Sequence, residues 1–266
     1  MRKATYVGLA LAGLGLIAVT ALGAKGKKRK PTKLDRKTGV VRILAPTTIT
    51  QPGRYQLARS LVLDDLQPGD AVLVIGMGLV GNLAAQLFRL AGADVAVADL
   101  SGLRLQRARQ CGVERVIHPP GEDLVEAVRE WTGGEGARVT VEAIGISEVI
   151  AQAVDCTARH GEVILLGSPR ARASFDVTPM LLRIHLEAIR MIGALEWRWP
   201  QHATERCRDL DANYRQIAAW IASGQLVVEP LLTHLASPAD CQQMYEGLTA
   251  NKEEYLGVVF DWSRLS

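Results

Sequence analysis

The sequence has no Cys-x-x-Cys pair. Its four cysteines, Cys111, Cys156, Cys207 and Cys241, are widely spaced and form no Cys/His cluster of metal-ligand spacing. That pattern excludes a disulfide framework and a zinc module and reads as separate thiols of an intracellular domain, so no metal site is expected. A basic body is lacking too. Residues 1–37 hold ten Lys/Arg against one Asp, whereas the remainder holds 21 basic against 27 acidic residues, although the formal net charge is +3. The mildly acidic body gives no footing for nucleic acid, and none is expected as a partner. No internal repeat is visible. With 48% hydrophobic and 22% charged residues, the 266-residue chain is globular in composition and long enough for one large domain or two small ones.

Charge is missing altogether from Thr5 to Ala24, between Arg2-Lys3 and the run Lys25, Lys27, Lys28, Arg29, Lys30. Twenty apolar residues suffice to cross a bilayer as a helix, and the larger basic cluster on the C-terminal side places the body in the cytoplasm. The expectation is an N-terminal transmembrane anchor over residues 1–24, with the membrane as partner through 5–24. A cleaved secretory signal peptide is the alternative, with Ala21-Leu22-Gly23 as its cleavage site and a secreted body; the length of the run and the basic residues after it weigh against this. Residues 25–66 read as a basic linker with some extended structure around Val40-Val41-Arg42-Ile43-Leu44, broken by Pro46 and a Gln51-Pro52-Gly53 turn.

After Pro68-Gly69-Asp70, the run Ala71-Val72-Leu73-Val74-Ile75 has the unbroken apolar character of a central parallel strand buried on both faces. It ends in Gly76-Met77-Gly78-Leu79-Val80-Gly81, and an apolar helix follows. A G-x-G-x-x-G at a strand-to-helix junction has a physical task. Gly76 permits the tight turn, Gly78 lets backbone approach a pyrophosphate, and Gly81 allows close helix-strand packing. The N–H groups at the start of the helix, around Leu79 and Val80, then face the phosphates. A second strand, Asp94-Val95-Ala96-Val97-Ala98, ends in Asp99, 23 residues after Gly76. A carboxylate at that spacing accepts hydrogen bonds from the adenosine ribose and repels a 2′-phosphate, which favours NAD over NADP.

Helices at 103–109, 123–131 and 147–158 alternate with strands at 113–117, 139–143 and 163–166. This predicts an α/β domain, a doubly wound parallel sheet (Rossmann fold) over residues 67–195, with ligand at the carboxyl ends of its strands. Those ends include Ala143-Ile144-Gly145 and Leu166-Gly167-Ser168. An edge strand is expected near 188–194. Residues 196–266 then give an amphipathic helix over 209–223 and strands near 231–235 and 256–260. His118, His160, His185, His202 and His234 are scattered and give no catalytic group, so the catalytic residues are unknown from sequence.

Together, Pro68–Val74 with the glycine fingerprint, Asp99 with Arg104, Arg109-Gln110-Cys111-Gly112, Glu142-Ala143-Ile144-Gly145, Gly161-Glu162-Val163-Ile164-Leu165-Leu166-Gly167 and the late Leu231-Leu232-Thr233-His234 resemble the cofactor half of the zinc-type medium-chain alcohol and polyol dehydrogenases. The resemblance runs from about residue 67 to the end. It implies that Asp99 and Arg104 hold the adenosine ribose, and that Ile144 and Leu166-Gly167-Ser168 line the nicotinamide side. It also implies a dimer paired through the edge strand near 188–194. In that family a GroES-like catalytic domain precedes the Rossmann unit and carries the zinc ligands. Here no His and no Cys precedes Cys111, so those zinc sites have nothing to be built from. The late strands, which in the family join the catalytic domain, must find cover from residues 40–63, another chain or the membrane surface.

Two functions remain. One is a membrane-tethered, NAD(H)-binding oxidoreductase exchanging hydride with a small alcohol or carbonyl compound. The other is a non-catalytic NAD-binding module or sensor, or a dehydrogenase half completed by another chain.

Overall fold

The computed structural model describes residues 66–170, 172–194 and 210–264, together with the backbone of residues 32–35, 40–43 and 55–57. The three early segments are strands: β1 (Thr32–Asp35) runs antiparallel to β2 (Val40–Ile43), which runs parallel to β3 (Tyr55–Leu57).

The body is built on the apolar run that follows Asp70. β4 (Ala71–Ile75) lies at the centre of a six-stranded sheet with β5 (Asp94–Ala98), β6 (Arg115–Ile117), β7 (Ala137–Glu142), β8 (Thr157–Leu165) and β9 (Arg190–Gly193). The order is β6-β5-β4-β7-β8-β9, and every neighbouring pair is parallel. Successive side chains of a strand point to opposite faces. Val72 and Val74 therefore enter one core with Leu83, Leu87 and Phe88 of α1 (Leu79–Leu90) and Leu105 and Ala108 of α2 (Gly102–Gln110). Leu73 and Ile75 enter the other, with Leu124 and Val128 of α3 (Leu124–Trp131) and Ala153 and Val154 of α4 (Ser147–Cys156). Each fully buried Leu, Val or Phe contributes about 1.5–3 kcal/mol, so both faces of this strand hold the sheet between its helices. This is the expected doubly wound arrangement.

The largest departure from the sequence reading falls at the junction of α4 and β8. α4 stops at Cys156 and β8 starts at once, six residues before its expected position. The cause is Thr157, whose buried hydroxyl sits 2.7 Å from the Ala153 carbonyl and 2.8 Å from the Thr140 hydroxyl, capping the helix and joining β7 together. The β7–β8 register then shifts between Ala137 and Val139, and His160 sits at φ 59° within that irregularity.

The late strands β10 (Leu232–Ala236) and β11 (Gly257–Phe260) pair with each other in parallel. Leu226, Leu231 and Leu256 beside them are buried in the core shared with α1 and α2. α6 (Leu210–Ala222) precedes this pair, and α7 (Cys241–Ala250) runs between its two strands. Gln86 of α1 anchors this region, donating to the Val227 carbonyl and accepting from the Val227 amide, both at 2.8 Å.

The expected membrane location is corrected. Among the described residues no helix is long and apolar enough to cross a membrane. The span 5–24, on which the anchor rested, lies outside the described residues.

Candidate functional site

In a parallel sheet with helices on both faces, the carboxyl ends of the strands open toward the helix N-termini and form the binding rim. β4 reaches that rim at Gly76, which turns at φ 99° and donates its N–H to the Ala98 carbonyl at 2.8 Å. A side chain at Gly76 would collide with Ile144, its Cβ standing 2.5 Å from Cγ1. Gly78 caps α1, and Asn82 is the first residue to donate back into the helix, to the Gly78 carbonyl at 3.0 Å. The amides of Leu79, Val80 and Gly81 precede that first bond and have no acceptor within the helix. A Cβ at Gly78 would meet nothing within 4 Å, so the space in front of these amides is open. At Gly81 a Cβ would lie 1.8 Å from the Gly76 carbonyl oxygen, so the helix rests directly on the turn.

Asp99, at the end of β5, is 8% exposed. Its Oδ2 accepts from the Met77 amide at 2.6 Å, its Oδ1 accepts from the Ser101 amide at 2.8 Å, and Arg104 Nη1 stands 3.8 Å away. The acid is thus held by the glycine loop on one side and the start of α2 on the other. Each carboxylate oxygen has further acceptor capacity for a sugar hydroxyl.

β7 ends at Glu142, a fully buried carboxylate that the sequence reading did not count among the site residues. Its Oε1 accepts from the Ile144 amide at 2.7 Å and the Gly145 amide at 2.8 Å, while Oε2 has no partner. Burial pushes its pKa up, and the amides of Gly145, Ile144 and Ile146 oppose that rise. The Glu142 carbonyl also accepts from Leu166 and Gly167, at 2.9 and 2.8 Å. Gly145, at φ 83°, lies so close to the next strand end that a Cβ would stand 2.2 Å from the Ser168 carbonyl oxygen. Ala143-Ile144-Gly145 and Leu166-Gly167-Ser168 therefore form one interlocked edge, with Ile144 partly exposed toward the open side.

All the residues expected to contact a cofactor lie along this rim, with Arg104 just beyond it on α2. Met77, Ser101 and Glu142 are additions. The mark Glu142 leaves in the sequence is its place in Glu142-Ala143-Ile144-Gly145. The histidines do not converge: His160 lies in β8, His234 in β10 stacked on Tyr255, and His185 on a further helix, α5 (Thr178–Glu187). His202 lies outside the described residues.

A zinc ion is implied by the resemblance, but the donors present do not fit one. Among the described residues no three His, Cys, Asp or Glu side chains are placed to hold a metal. Burial pushes the Cys111 thiol up to about 11 and the Cys156 thiol to about 12, far from the thiolate a zinc ligand requires.

Residues 80–207 match a family described as zinc-binding dehydrogenase. The chain carries the cofactor-binding half of the zinc-type alcohol dehydrogenase family. The L-threonine 3-dehydrogenase of Deinococcus deserti is 30% identical over 198 residues, which cover 74% of this chain and 52% of that protein. Among solved structures, an Escherichia coli oxidoreductase/dehydrogenase of unknown specificity superposes with a TM-score of 0.62 at 24% identity, covering 73% of this chain and 51% of its own. A zinc-binding dehydrogenase from Sinorhizobium meliloti 1021, bound to NADP, superposes with a TM-score of 0.55 at 22% identity, covering 67% and 48%. The alcohol dehydrogenase-like chain thus spans about half the length of the curated relatives it matches. An NAD(P)-binding dehydrogenase fold follows from these likenesses.

Proposed function

We propose that residues 67–195 bind NAD(H), with the diphosphate on the amides of Gly78, Leu79, Val80 and Gly81, the adenosine ribose on Asp99 and Arg104, and the nicotinamide against Ala143, Ile144, Gly145, Leu166, Gly167 and Ser168. The observation that carries this reading is the open space before the α1 amides beside an acid bonded to the same loop. A carboxylate there accepts ribose hydroxyls and opposes a 2′-phosphate, which supports NAD over NADP. The nicotinamide, when bound, supplies hydride exchange with a small alcohol or carbonyl compound. The chain's own residues bind it, orient it and present one face of its ring.

A second reading is favoured by the lack of a metal-ligand cluster among the described residues: an NAD-binding module or sensor, or a half completed by another chain. We further propose a homodimer through the outer edge of β9, supported by the place of β9 at the end of the strand order among the described residues and by the exposed Leu181, Leu182 and Leu186 of neighbouring α5.

Fluorescence titration of the chain with NADH and NADPH tests the shared premise. NADH binds more tightly, and Asp99→Ala erodes that preference; a wild-type preference for NADPH overturns it. Turnover on an alcohol and aldehyde panel separates the enzyme from the module.

A further inference from the structure

The loop of residues 251–255, between α7 and β11, lies on the first turns of α2, although 146 to 152 positions separate the contacting residues. Three hydrogen bonds hold it there. Ser101 Oγ donates to Glu253 Oε2 at 2.5 Å, Arg104 Nη2 donates to the Lys252 carbonyl at 3.0 Å, and Arg107 Nη1 donates to the Glu253 carbonyl at 3.2 Å. Ser101 is also the residue whose amide holds Asp99 Oδ1. One residue therefore links the Asp99 carboxylate to the Glu253 carboxylate.

This matters because of what surrounds Asp99. A guanidinium is the side chain that best matches a phosphate monoester, presenting paired N–H groups in a fixed plane. Arg104 and Arg107, standing five and eight positions after the ribose acid, are the groups that would attract a phosphate on the adenosine 2′-oxygen. Each instead donates to a backbone carbonyl of the loop. The loop also delivers an exposed carboxylate to the same corner. It engages one N–H group of each guanidinium and adds one repulsive charge.

We propose that residues 251–255 act as a coenzyme-discriminating strap, in which Glu253 repels a 2′-phosphate and the carbonyls of Lys252 and Glu253 occupy one N–H group of each arginine. The inference rests on the reading that Asp99 faces the adenosine ribose. It assigns to a late loop, remote in sequence from the glycine fingerprint, a share of the choice between NAD and NADP.

The test uses the full chain and the two free coenzymes, NADH and NADPH, titrated at low and high salt. Glu253→Gln keeps an acceptor for Ser101 and removes only the charge. NADPH should then bind about fivefold more tightly, NADH should change less than about twofold, and the gain should shrink at high salt, as expected for one exposed charge facing a phosphate. Glu253→Lys should move the ratio further in the same direction. An unchanged ratio in both variants, or equal weakening of both coenzymes, overturns the strap while leaving the Asp99 reading intact. A wild-type preference for NADPH, or binding of neither coenzyme, overturns both.

Discussion

The main-chain N–H of Met77 donates to the Asp99 carboxylate at 2.6 Å, within the glycine turn that ends β4. The acid assigned to the sugar and the loop assigned to the diphosphate are thus one hydrogen-bonded unit, built from two adjacent strand ends.

The two later glycines of that loop separate folding from binding. Gly78→Ala places a methyl in open space, so thermal stability should stay within about 1 kcal/mol of wild type, whereas NADH affinity should fall at least about tenfold because the methyl occupies the diphosphate path. Gly81→Ala drives a Cβ to 1.8 Å from the Gly76 carbonyl oxygen, so both stability and affinity should fall, with a cost of about 2 kcal/mol or more. Thermal denaturation and NADH titration of the two variants check this.

Glu142 makes a pH prediction. Its folded pKa is raised by burial, so the folded state holds the proton more tightly than the unfolded chain does. Its contribution is therefore fully present below the unfolded pKa and is lost as pH rises through the folded value. Glu142→Gln keeps an acceptor for the Ile144 and Gly145 amides and should flatten that decline. Glu142→Ala leaves both amides without their acceptor and should cost about 1–3 kcal/mol at every pH. Urea melts from acid to neutral pH measure both slopes.

Gln86 ties the sheet to the late part of the chain. Gln86→Leu removes both bonds to Val227 and should destabilise by about 2 kcal/mol. Limited proteolysis should then cut near residue 227 sooner than in wild type, while NADH affinity stays within about twofold.

The outer edge of β9 should hold a second copy. Light scattering at micromolar concentration should give a dimer. Leu182→Lys with Leu186→Lys, both on the exposed face of α5, should give a monomer that still binds NADH.

What was legible in the sequence was local. Ala71–Ile75 reads as a central strand because no polar residue interrupts it, and the glycines after it read as a turn because only that spacing suits a strand-to-helix junction. The early start of β8 was hidden because Thr157 continues an apolar helical pattern, and its capping role appears only when Thr140 of β7 lies opposite. Glu142 stands in one of the motifs that carry the resemblance but was given no role, because its partners are backbone amides, which leave no mark in a residue pattern. The pairing of β10 with β11 and the contact of Glu253 with Ser101 join positions far apart along the chain, and no periodicity encodes either.

Gly145 and Ser168 meet backbone to backbone, with no side chain between them that might rotate aside. Adaptation to differently sized guests must then fall to elements resting on the rim, because the rim itself has no hinge at that seam.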